Sequence, residues 1–420
     1  MNQRSTLSTT TLLLLQLLVI AGWGTAWSFS TSSSRPLPMM RSGAPTVPAI
    51  VIPREHPLRI SGLYDEPAMV SDDDLAKVLS QIAPKFDQKK LKPNFVEHAL
   101  RTWGVDAEFQ DSEIMSGIKM RDFLIDHGKY LASWGNEVKP LLQDQPQGVS
   151  IRWGKESGAS VHHDHWLACL TEAGITLTEP VYAPSQRPMT TNSVLQQALI
   201  DFRLDERETE WSVLAFGLWL PPVKSWTAQD GRSISFDQLA ERQLRGHNRF
   251  GVCSGTHRLY SMMALVRLDD EFQILSGPAR EKILEHLKAI RELLIVSQLP
   301  DGRWPDNWWA GKLAAENPIV SPLHEDVIAT GHHLEWLAIA PRELHPPHEQ
   351  IERAAKWVIE TTASQSFSDI QGKFTFYSHV GNALSLWRKT RPADFWKKWE
   401  ATHPIPRQPA TVIEPAEPAK

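Results

Sequence analysis

The sequence predicts an all-α fold: about six two-helix repeats with a period of about 46 residues, closed into an (α/α)6 toroid and flanked by disordered tethers. Three observations carry this reading. Apolar residues recur at helical spacing along most of the chain, and strand-like alternation is scarce. Helix-like segments of similar character return at a constant interval. One helix of each repeat, as in "WSVLAFGLWL" and "RLYSMMALVRL", is apolar nearly all round, which suits a helix enclosed by an outer ring.

In chain order, residues 1–27 read as a secretory signal peptide or signal anchor. No charged residue falls between Arg4 and Arg35, and the apolar heart, Thr11 to Gly22, is shorter than the ~20 residues of a membrane span. The small residues Gly24 and Ala26 suit cleavage after Ala26. The expected location is therefore periplasmic, cell-surface or secreted, with membrane attachment only through this segment if it is retained. Residues 28–69 form a Ser/Pro-rich linker and 401–420 a Pro-rich tail, leaving 70–400 as the folded domain.

Within that domain the periodicity places helices over 73–83, 92–103, 118–133, 162–173, 191–202, 207–219, 234–245, 254–268, 278–297, 322–340, 347–363 and 376–390. Start signals support several. Ser71 precedes Asp72, Asp73 and Asp74, an N-cap followed by charges that complement the helix dipole. Ser321 precedes Pro322 at a first helical position, with Glu325 and Asp326 in the next turn.

The repeat appears when helices are aligned on "HWLACL" at His165. Trp211, His257, His333 and His379 open later segments at intervals of 46, 46, 76 and 46 residues. The longer interval becomes regular if about 30 loop-like residues around 298–321 are an insertion. A step of 46 back from His165 reaches Lys119, which makes the 118–133 helix the sixth inner one.

Composition excludes several classes. The formal charge of −5 with no long basic run leaves no nucleic-acid footprint. The 17 tryptophans suit interhelical packing or sugar stacking. Two cysteines do not make a disulfide scaffold. In the repeat register Cys169 and Cys253 differ by eight positions, ~12 Å along the axis, too far for a bridge.

"VSQLPDGRWPDNWW" resembles the QW motif of terpenoid cyclases through Gln298, Gly302 and Trp304. Those enzymes share the toroid with protein prenyltransferases, and the resemblance implies a structural role in tying an outer helix to the next unit. Similar wording occurs in toroid-fold pectate lyases. "TGHHLEW" (330–336) resembles the G-H-x-x-E-W segment of the N-acylglucosamine 2-epimerase family, which implies proton transfer at His332. "GVCSGTH" is similar to the zinc-ligand segment of lanthionine cyclases, whose paired cysteines are missing here. The chain as a whole resembles exported bacterial toroid proteins. The aspartate triplet at 72–74 does not have the spacing of the D-x-D-D motif of terpenoid cyclases.

In such a ring the inner helices run parallel, so histidines near their N-termini line one mouth. Candidate catalytic residues are His257, His332, Glu335 and His379, with Glu335 one turn from His332 as the carboxylate that an acid–base site needs. Arg258, Tyr260, Trp308 and Trp309 are candidate substrate-binding residues. The stretch "SVHHDHWLACL" offers His162, His165 and Asp164 as candidate zinc ligands, zinc being the one cofactor considered. The bland alternative is histidines that donate to backbone carbonyls or face solvent. The expected function is an exported enzyme acting on an acidic carbohydrate, or another small polar substrate, by lysis, hydrolysis or isomerisation. A non-catalytic scaffold that binds a glycan or protein, and a terpenoid-cyclase relative, are the alternatives.

Overall fold

The computed structural model describes residues 49–247 and 253–404; the signal segment and most of the C-terminal tail lie outside them. Sixteen helices and three two-stranded hairpins make up the described chain. Among the described residues no helix is long and apolar enough to cross a membrane.

Helix α1 (Asp72–Gln81) starts where Ser71 Oγ accepts from Asp74 N–H. Helix α2 (Pro93–Trp103) begins on proline and buries nine of its eleven residues. The single helix expected over 118–133 is two, α3 (Gly117–Ile125) and α4 (His127–Trp134). Asp126 ends one in an extended conformation and caps the other, accepting from Gly128 and Lys129 N–H, while flanking peptides bond to Tyr182. The hairpin β1 (Leu142–Asp144) and β2 (Val149–Ile151) precedes α5 (His165–Glu172). After β3 (Pro180–Val181) and β4 (Met189–Thr190) come α6 (Thr191–Asp201) and α7 (Glu210–Trp219). Hairpin β5 (Ser225–Thr227) and β6 (Ser233–Ser235) leads into α8 (Phe236–Leu244) through a Ser235/Gln238 capping box. The rest is α9 (Thr256–Phe272), α10 (Gly277–Ser297), α11 (Lys312–Glu316), α12 (Leu323–Ala338), α13 (His348–Ser364), α14 (Phe367–Gly372), α15 (Phe374–Trp387) and α16 (Pro392–Thr402).

Six of these helices pack in cyclic order: α2 on α5, α5 on α7, α7 on α9, α9 on α12, α12 on α15, and α15 back on α2. Helices α1, α3, α8, α10 and α13 each pack against one or two members of this cycle. The structure departs from the sequence expectations in two places. The helix that closes the cycle is α2; the 118–133 segment, which the 46-residue step selects, supplies α3, which packs on α2 and is not a member of the cycle. Burial explains the difference, since α3 keeps an exposed flank at Ile118 and Lys119 whereas α2 is enclosed. The second concerns the linker expected over 28–69: its residues 28–48 lie outside the described residues, and 49–69 are fixed on the helices rather than forming a free tether. Its backbone bonds successively to the ends of hub helices: Leu58 N–H to Leu218 O, Leu63 N–H to Ala338 O and Glu66 N–H to Trp387 O, each 2.9 Å. Helix α16, absent from the sequence expectations, runs to Thr402.

The insertion around 298–321 is pinned by the QW-like residues. Gln298 Nε2 donates to Gly302 O at 2.8 Å and to Gln350 O at 2.7 Å, and Trp304 Nε1 donates to Leu294 O at 3.0 Å, which ties the end of α10 to α13. Gly331, which costs a helix about 1 kcal/mol relative to Ala, is accounted for by packing: a Cβ there would sit 3.2 Å from Val380 of α15.

Candidate functional site

At the hub, each of the six helices contributes one ring. In cyclic order they are His98, His165, Trp211, His257, His332 and His379, with successive centroids 4.6, 4.4, 4.3, 4.2 and 3.8 Å apart and a closing step of 5.2 Å from His379 to His98. The repeat register thus selects the right turn on four helices and is one residue off on a fifth. His332 enters the hub; His333 turns outward, where Trp336 Nε1 donates to its Nδ1 at 3.1 Å and Trp308 packs edge-on at 4.5 Å. The sequence reading missed His98, Glu97 and Arg101. Their signal was available in the enclosed character of 92–103, but the 46-residue step passed over it.

Five of these rings are imidazoles, and all five are buried. Burial holds His98, His165, His257 and His379 well below the ordinary histidine pKa, with neighbouring imidazoles and Arg101 adding to the effect for most of them; His332 is lowered too. They are neutral at pH 7. Burial pushes Glu97 up to about 8, so its carboxyl keeps a proton and donates it to His165 Nδ1; His165 Nε2 stands 3.4 Å from Cys169 Sγ. Ser160 Oγ donates to the same carboxyl at 3.0 Å.

A second polar layer lies below the rings. Arg101 Nη1 is 2.9 Å from Glu335 Oε1, and Arg101 Nε is 2.6 Å from Glu172 Oε2. Glu335 also accepts from His332 Nδ1 at 2.8 Å and from Asn382 Nδ2 at 2.5 Å, with His379 Nδ1 at 3.3 Å. Burial alone would raise the Glu335 pKa; the Arg101 guanidinium, with the two histidines, outweighs it and holds the group well below the usual carboxylate range. Tyr260 OH donates to Glu172 Oε1 at 2.9 Å, and burial with the Glu172 charge pushes its phenol well above the ordinary value.

Arg101, Glu172, Tyr260 and Asn382 then face a cavity of about 980 Å3. Its walls come from the C-terminal ends of α2, α5, α7 and α15, so these four helices run in the same sense. Arg59, Lys389, Arg391, Lys397 and Lys398 line it against the single further carboxylate of Asp394. The mouth expected at the helix N-termini is not where this cavity lies; its lining is drawn from the opposite ends of these helices, past the rings.

The candidate residues therefore separate. His257, His332, Glu335 and His379 come together, but behind the cavity floor. Tyr260 lines the cavity. Arg258 does not; it is buried in an ion pair with Glu210 at 3.3 Å. Trp308 is fully buried on His333, which corrects its expected role in binding substrate, and Trp309 lies 6.2 Å from the His247 ring. The proposed zinc ligands diverge. His162 Nδ1 pairs with Glu208 at 2.5 Å, Asp164 accepts from Ser212 Oγ at 2.5 Å, and His165 turns to Glu97. Among the described residues the groups whose donor atoms converge are Cys253–His257–His332 and His332–Glu335–His379. Both cysteines are free. No family model, curated protein or solved structure matches this chain.

Proposed function

We propose that the protein is an (α/α)6 toroid enzyme acting on an acidic carbohydrate by proton transfer in the cavity at the C-terminal ends of the hub helices. The carrying observation is the pairing of a cation-lined cavity with a floor formed by Tyr260 and Glu172 at 2.9 Å under Arg101. Cations at the entrance favour a uronate-like anion and raise its local concentration. On the floor, the high phenol pKa keeps Tyr260 protonated as an acid, and Glu172 is the carboxylate placed to take a proton. Arg101 stands beside both, where negative charge develops. The His332–Glu335–His379 set holds Arg101 from behind and so positions it. In this reading the carbocation chemistry of terpenoid cyclases is disfavoured, since Arg101, Glu172 and Asn382 offer no apolar aromatic wall to a cation.

The test is incubation with acidic and neutral oligosaccharides, with products read by mass spectrometry. Hydrolysis adds the mass of water on cleavage, lysis leaves an unsaturated end, and isomerisation changes retention without changing mass. Turnover of acidic substrates that Tyr260→Phe and Glu172→Gln abolish supports the proposal. Binding of an acidic glycan that is recovered unaltered would leave the non-catalytic scaffold, and a preference for neutral substrates would overturn the role of the cations.

A further inference from the structure

We infer that Cys253, His257 and His332 form a transition-metal site, with zinc the ion that suits the donors. The inference goes beyond the substrate reading and does not depend on it. Three observations converge. His257 is 1% exposed, and among the described residues neither of its ring nitrogens has a hydrogen-bond partner. A buried imidazole with both nitrogens idle is a cost that folded chains rarely carry unless a water or an ion meets one of them. His332 Nε2, fully buried, is unpartnered as well. One donor atom from each of Cys253, His257 and His332 lies within 4.8 Å of the others.

The surrounding structure prepares these atoms for an ion. His332 Nδ1 donates to Glu335 at 2.8 Å, which fixes the tautomer that leaves the Nε2 lone pair free. A carboxylate behind a ligating imidazole orients it and raises its basicity. Cys253 and Ser254 both hold left-handed backbone, at φ 47° and 56°, followed by Gly255 at φ 81°. Left-handed conformations at two successive non-glycine residues are strained. Here they bring the thiol to the first turn of α9, four residues before His257. Zinc bonds of about 2.0–2.3 Å put tetrahedral ligand atoms roughly 3.3–3.8 Å apart, so side-chain shifts of about 1 Å close the site. One sulfur and two imidazoles select zinc or a similar ion over magnesium or calcium, which require oxygen donors. His379, whose Nε2 is also unpartnered, stands 3.8 Å from the His332 ring, beside the fourth position.

The experiment is metal analysis of the full chain purified without chelator or affinity metal, followed by cobalt(II) titration monitored by absorption. About one equivalent of zinc per chain is expected, with a cobalt form that shows tetrahedral bands and a thiolate-to-metal charge-transfer band. Cys253→Ser should lose the charge-transfer band, His257→Gln and His332→Gln should lose the ion, and Glu335→Gln should weaken affinity roughly 10- to 100-fold. Folded wild-type protein that takes up neither zinc nor cobalt overturns the inference. So does a charge-transfer band that survives in Cys253→Ser, a result that remains readable if the buried histidine variants fail to fold.

Discussion

Arg101 and Glu335 approach within 2.9 Å across the α2–α12 gap with both side chains buried, and this contact joins the cavity floor to the imidazole hub. A buried carboxylate stripped of its partner is costly. Arg101→Met is therefore expected to lower stability by about 3–5 kcal/mol in urea unfolding. Adding Glu335→Gln should restore part of it, because the stranded charge is gone. A loss under ~1 kcal/mol for the single variant would mean that the pair contributes little.

His163 predicts a pH dependence of stability. Burial would lower its pKa, but the Asp164 carboxylate 3.2 Å away, with Glu206 and Asp201, raises it to about 9 from the ordinary 6.5. A folded-state pKa above the unfolded one means that this contribution is complete below pH 6.5 and disappears as pH rises through about 9. Its size is at most about 3 kcal/mol. Melting temperature should fall across that window more steeply in the wild type than in His163→Gln, and parallel curves would remove the ion pair from the account.

Gly302 takes φ +102°, and a Cβ there would lie 2.5 Å from Arg353 O. Gly302→Ala should destabilise by about 1–3 kcal/mol, through both the left-handed backbone and the clash. Thermal unfolding checks this, and an unchanged midpoint would show that the turn does not hold α10 to α13 as described.

Lys397 and Lys398, exposed at the cavity entrance, test the electrostatic part of the functional proposal. The double charge reversal K397E/K398E should weaken binding of a uronate oligosaccharide roughly tenfold at low salt and distinctly less at high salt. Calorimetric titration at two ionic strengths measures both. Equal affinity in the variant would place the anion elsewhere.

Much of the helical content was legible because enclosed helices such as α7 and α9 have long apolar sequences that no exposed element tolerates. His165, Trp211, His257 and His379 were legible as a set because a constant interval returns each repeat to the same turn. His332 was found through its own local motif, while the interval pointed to His333. One residue turns a helical side chain by about 100°, and a period blurred by the 298–321 insertion cannot resolve that. Likewise, α3 and α4 read as one helix because the break at Asp126 depends on a capping carboxylate and on bonds to the distant Tyr182.

By itself the sequence determined the mainly helical character and the turns that carry His165, Trp211, His257 and His379, and the QW resemblance pointed to the structural role of Gln298, Gly302 and Trp304. Only the tertiary structure decided which helix closes the cycle, that Glu97, His98 and Arg101 belong to the hub, and that the cavity opens at the C-terminal ends. The physical reason is that periodicity reports how a segment meets its own neighbours. Which buried charge meets which imidazole depends on helices separated by more than a hundred residues, as Arg101 and Glu335 are, and no local pattern encodes that pairing.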